Sequence, residues 1–104
     1  NNYDIVTNQF PKVCPKGLAC EVASLKVFDD LKSKKISKID EEHIFNYFYK
    51  NKKTYKIYNY IDKFYKKRKK INLSIDTKTD LNRTKKIFER NERKILIDTK
   101  KIIG

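Results

Sequence analysis

The sequence contains no methionine and no tryptophan, and only two glycines, two prolines, two cysteines and one histidine among its 104 residues. Each scarcity removes a class of chemistry. Tetrahedral zinc wants four ligands, and two cysteines with the distant, lone His43 do not supply them. Two glycines leave no Gly-rich phosphate loop, and neither a paired-histidine metal motif nor a nucleophile elbow is present. His43 follows Glu41 and Glu42 at the start of an expected helix, with no Ser or Cys at catalytic spacing, and reads as a surface or structural histidine. The neighbouring acids Asp29 and Asp30, like Glu41 and Glu42, diverge around a helix and do not form a dyad. The longest aliphatic run, residues 95–97, is far short of the ~18 to 20 residues of a membrane span. These absences lead to the expectation of a protein that is not an enzyme, with no catalytic residues, no metal, no cofactor and no membrane partner.

What is present is charge and aromatics. Twenty-two lysines and four arginines oppose 13 acids, giving a net charge of +13, which attracts nucleic acid, an anionic membrane or an acidic protein. Lys, Asn, Ile, Tyr and Phe supply 57 residues, and all five have A/T-rich codons, so lysine is a weaker signal than its number suggests. Arginine carries more information. Its rigid fork recognises phosphate and carboxylate, and three of the four arginines fall in one group: Arg83, Lys85, Lys86, Arg90 and Arg93. A second basic group is continuous: Lys66, Lys67, Arg68, Lys69 and Lys70. Both groups are candidate protein-binding residues, the second as a steering element.

With 38% hydrophobic residues, seven Tyr and six Phe, the chain can build a modest core, and its length suits one domain over residues 1–104. The stretch 3–13 alternates loosely and predicts an extended arm or edge strand. A loop follows, with Pro15 and with Gly17 free to take positive φ. Val22, Leu25, Phe28 and Leu31, with Val27 beside them, recur at three-residue steps and predict a helix over 20–32. Ser37 to Asp40 matches a capping box before a second helix whose buried stripe is Ile44, Phe45, Tyr47 and Phe48. A third helix is expected over 54–69, with a strand over 55–61 as the competing reading. Ile71, Leu73 and Ile75 alternate as a strand, Asp80 can cap a helix running to Asn91, and 94–103 is strand-like. The expected class is α+β: a small single domain with about three helices and a short antiparallel sheet from the N-terminal arm and the C-terminal third.

Tyr47, Tyr49, Tyr55, Tyr58, Tyr60 and Tyr65 interleave with lysines, as a base-stacking surface or a protein hot spot does, although a core this short of Leu and Val also needs such rings. Asn72-Leu73-Ser74 and Asn82-Arg83-Thr84 are formal N-glycosylation acceptors. Cys14 and Cys20 enclose a loop with a Pro and a Gly and are expected to be bridged, a closure worth roughly 2 kcal/mol. The sequence opens on Asn1-Asn2, which leads to the expectation of a removed leader, most simply a secretory signal peptide.

In size, Lys/Asn/Ile-rich composition, short-range cysteine pair and leader-stripped start, the whole chain resembles the small secreted virulence effectors of phytoplasmas. The resemblance implies a monomeric, non-enzymatic adaptor, secreted and acting inside a host cell. Its implied partners are host proteins, namely transcription factors and a proteasome component. The alternative from the residues is a basic nucleic-acid- or ribosome-binding protein, with helices followed by strands in a winged-helix-like order.

Overall fold

Ile5, Val6 and Thr7 are three β-branched residues in a row, and they lie at the centre of the sheet. The computed structural model describes residues 2–92 and 97–103. In it β1 (Ile5–Thr7) pairs antiparallel with β2 (Glu21–Ala23) and parallel with β3 (Ile57–Asn59), giving the order β2-β1-β3. Ile5 and Thr7 are buried on one face while Val6 looks out from the other, as the two-residue period of a strand requires. Val22 and Tyr58 stand opposite Val6 in register and are exposed with it, so the sheet buries one face only.

Against that face pack α1 (Leu25–Leu31) and α3 (Ile44–Lys50), while the short α2 (Lys38–Glu42) adjoins α3 and buries no residue of its own. The core cluster is Ile5, Val27, Phe48 and Tyr55, ringed by Ala23, Leu31, Ile44, Phe45, Tyr47, Tyr49 and Ile57. Phe48 is fully buried and meets Phe28, Phe45, Tyr47 and Tyr55 in edge-on geometry at centroid distances of 4.9 to 6.0 Å, the arrangement that ring quadrupoles favour. The expected aromatic stripe of α3 is therefore the core, and it takes up Tyr47, Tyr49 and Tyr55. Tyr58 and Tyr60 stay exposed. Ser37 caps α2 by accepting from the backbone N–H of Asp40, as its capping pattern predicts. His43 leaves helical geometry at φ −122° and ψ 60°, which divides the expected second helix into α2 and α3. The His43 ring is exposed.

The α+β class stands, with corrections inside it. The 3–13 segment is no edge arm, because it supplies the central strand. Residues 21–23 pair with that strand and delay the first helix to Leu25, with Val27 and not Leu25 turned into the core. Over 54–69 the competing strand prevails: Ile57 is drawn into register beside Ile5, and only α4 (Lys63–Lys66) is helical there. The sheet is mixed, not antiparallel, and among the described residues it takes nothing from the C-terminal third. Residues 71–76 make one isolated parallel bridge, Lys16 with Asn72. The longest helix, α5 (Lys78–Arg90), follows, and α6 (Thr99–Ile103) replaces part of the expected last strand. Ile95 and Leu96, central to that strand expectation, lie outside the described residues.

Candidate functional site

Two loops remote in sequence meet beside the start of α5. Gly17 has φ +104°, a conformation open to glycine, and a Cβ there would sit 3.0 Å from the backbone N of Ser74 and 3.1 Å from the carbonyl carbon of Leu73. This close approach lets the backbones zip together: Lys16 N–H donates to the Ile71 carbonyl at 3.0 Å and Leu73 N–H to the Lys16 carbonyl at 2.7 Å.

A polar junction grows from this seam. Lys16 Nζ meets Asp76 Oδ2 at 2.9 Å, and Ser74 Oγ lies 2.9 Å from the same oxygen. The Lys16 hydrogen bond, with Ser74 adding to it, lowers the Asp76 carboxyl below its usual range, and the same bond raises the Lys16 ammonium. Thr77 and Asp80 close a capping box at the start of α5. Asp80 Oδ2 accepts from the N–H groups of Asp76 and Thr77, both at 3.0 Å, and Asp80 Oδ1 holds Arg83 Nη1 at 2.9 Å. The Asp76 N–H, then Arg83, and after them Thr77, bring the Asp80 carboxyl down to about 2.

Beside the junction is an open groove of about 480 Å³ lined by Lys12, Lys16, Lys69, Lys70, Ile71 and Asn72. Its wall thus joins part of the expected 66–70 basic group to two lysines from the far end of the chain. Lys66 ends α4, and Lys67 caps it. Arg68 is turned inward: its Nη1 donates to the Phe64 carbonyl at 2.9 Å, its Nε to the Ile103 carbonyl at 3.2 Å, and its guanidinium covers the Phe64 ring at 3.8 Å.

The arginine group does not form one open surface. Arg83 is committed to Asp80 and, through Nη2, to the Ser74 carbonyl at 2.9 Å. Arg83, Lys86 and Arg90 line a second groove, along α5, that also contains Glu89, and Lys85 is exposed without lining it. Arg93 lies outside the described residues. The two basic groups line separate grooves with no residue in common.

Cys14 and Cys20 are free thiols, so the expected bridge is not formed. Cys14 is buried with its Sγ 3.1 Å from Gln9 Nε2, while Cys20 is exposed, its backbone held by Asn8. The loop is closed by the Asn8 side chain, which accepts from Cys20 N–H and donates to the Leu18 carbonyl, both at 2.9 Å. A covalent tie is not needed to shape it.

Sequence reasoning missed Lys12, Lys16, Asn72, Asp76 and the capping role of Thr77. The Thr77-x-x-Asp80 spacing was the available signal for the helix start, and it places the cap three residues before Asp80. Nothing local announces that residues 12–16 meet 69–72. No helix among the described residues is long and apolar enough to cross a membrane.

No protein-family model matches the chain, and no curated protein matches it in sequence. Among solved structures it is similar to a cytidylyltransferase from Leptospira borgpetersenii serovar Hardjo-bovis (strain JB197), with 25% identity and a TM-score of 0.75. The match covers 85% of this chain and 36% of that one. This likeness corrects the expectation of a non-enzymatic adaptor and points toward an enzyme.

Proposed function

We propose that this chain contributes to cytidylyl transfer, in which an acceptor oxygen attacks the α-phosphorus of CTP and displaces pyrophosphate. The observation that carries the reading is the match to the Leptospira cytidylyltransferase over 85% of the chain. The junction between the Lys16 loop and the start of α5 supports it. An exposed carboxylate, Asp76, sits at the rim of a lysine-lined groove, the mixture of charges that a reaction of phosphate esters requires. The neighbouring Asp80 is fully used by backbone donors and Arg83, so its part is to hold Asp76 and α5 in place.

Reactions of this type commonly employ a divalent cation on the phosphates. Among the described residues no group of three or more His, Cys, Asp or Glu is placed to hold a metal ion. Asp76 alone is available, and these residues by themselves do not fit a metal site.

The reading is tested by nucleotide discrimination. In ligand-observed NMR titrations, CTP should bind more tightly than UTP, GTP or ATP, and Asp76→Asn should weaken CTP binding or remove the preference while the far-UV circular dichroism is retained. Equal affinity for all four nucleotides would overturn it.

A further inference from the structure

We infer that the groove between residues 12–16 and 69–72 is a binding site for a small phosphorylated ligand, one presenting a phosphate monoester or a diphosphate. The first reason is convergence. A basic run in a lysine-rich chain is cheap, but here Lys12 and Lys16 are brought against Lys69 and Lys70 from the other end of the sequence. The seam that does this is backbone, through the Lys16 and Leu73 bonds and the Gly17 approach to Ser74, so the lysines stand on a fixed floor. The Lys12 side is fixed as well: Gln9 and Lys12 form an antiparallel bridge, and Asn59 Nδ2 donates to the Pro11 carbonyl at 3.1 Å.

The second reason is that the groove offers donors almost exclusively. Among the described residues Lys16 has the only carboxylate partner of the four lysines, Asp76, and Lys12, Lys69 and Lys70 have no ion pair. Like charges gathered without counter-charge repel each other, and an anion in their midst relieves that cost. Asn72 completes the set. Its Oδ1 already accepts from Ser74 N–H at 2.9 Å and lies 2.7 Å from Ser74 Oγ, which leaves the amide N–H groups to donate. Four ammonium groups and an amide, against a lining whose one apolar residue is Ile71, complement a phosphate whose oxygens only accept. A nucleic acid fits less well, since among the described residues no aromatic ring lines the groove for a base to stack on.

The inference stands apart from cytosine recognition, and its test uses inorganic pyrophosphate. Calorimetric titration at about 50 and 150 mM salt should give saturable binding at a single site, weakened at the higher salt. Lys69→Gln with Lys70→Gln, and separately Lys12→Gln, should each weaken it by about tenfold or more, because each removes charge-assisted bonds to the same anion. Lys52→Gln with Lys53→Gln, exposed on the turn after α3, removes as much charge elsewhere and should change affinity by less than about twofold. All these lysines are exposed, so the variants keep the fold, which circular dichroism verifies. Equal weakening by the Lys52 and Lys53 pair would reduce the effect to diffuse attraction and overturn the site. So would the absence of saturable binding, or tighter binding of a single-stranded oligonucleotide lost evenly with every lysine removed. Failure here leaves nucleotide discrimination untouched, and loss of CTP preference leaves pyrophosphate binding in place.

Discussion

The two halves of this molecule are ordered by different forces. Every member of the apolar core falls between Ile5 and Ile57, where three strands and the helices α1 and α3 share the Phe48 cluster. Beyond that point the one buried residue among the described residues is a charged one, Asp80, and order comes from the Gly17 seam, the capping box and Arg83. Leu81 and Phe88 remain exposed on α5. The first half is held by packing that tolerates little loss of volume. The second is held by a few directed bonds, each of which can be removed singly, and the lysine groove lies where the two halves meet.

The largest expected effect breaks the first half. Phe48→Ala empties a fully buried site contacted by four other rings, and a truncation of this kind costs about 3 to 5 kcal/mol. Small domains carry roughly 5 to 15 kcal/mol in total, so the midpoint in urea should fall steeply or the variant should be unfolded at the outset. A loss under about 1 kcal/mol, the range of a surface change, would mean that the ring cluster is not the centre of stability.

Gly17→Ala attacks the seam between the halves. A non-glycine residue at φ +104° costs about 1 to 3 kcal/mol, and the new methyl meets backbone atoms at 3.0 and 3.1 Å that cannot swing aside as a side chain would. Amide hydrogen exchange should accelerate at Lys16 and Leu73, whose N–H groups form the seam, with far less change at the Ile5 and Val6 amides of the central strand. Pyrophosphate affinity should drop along with the seam. Uniform acceleration over both halves would show that they open as one unit.

The same contrast explains what the sequence made legible. The α3 stripe and the Ser37 cap were readable because period and capping are local, set within a few residues. Ile57, Ile61, Phe64 and Tyr65 fit a helical face, while Tyr55, Ile57, Asn59 and Ile61 alternate as a strand does. The decision came from Ile5, a register partner far away in sequence that no local pattern contains. The groove was illegible for the same reason: Lys12 and Lys16 are ordinary until Gly17 lets residues 71–74 lie against them. The arginine group drew attention by its rarity, yet Arg83 is employed in holding a helix cap. Rarity of a residue type marks a specific role without saying whether that role faces inward or outward.

The smallest effect should come from acid, and it should act on the second half first. Asp80 titrates near 3.8 when free of partners and at about 2 in the fold, where the Asp76 and Thr77 amides and Arg83 all favour its charged form. A carboxyl whose pKa is depressed by folding gives stability that is fully present above its unfolded value and lost as pH falls through the folded one. Asp76 is lowered in the same direction by Lys16 and Ser74. Between roughly pH 4 and 2, therefore, the junction should weaken as protons displace these bonds, and the helix start at Thr77 should fray. The core cluster contains no carboxylate: Ile5, Val27 and Phe48 have no ionisable group. Backbone resonances of residues 76–83 should shift or broaden in that window before those of β1 and α3. Asp80→Asn, with its charge removed at every pH, should show the frayed helix at neutral pH and little further change on acidification. If β1 and α3 respond at the same pH as the start of α5, the junction is not the acid-sensitive element, and the division between a packed half and a bonded half does not hold.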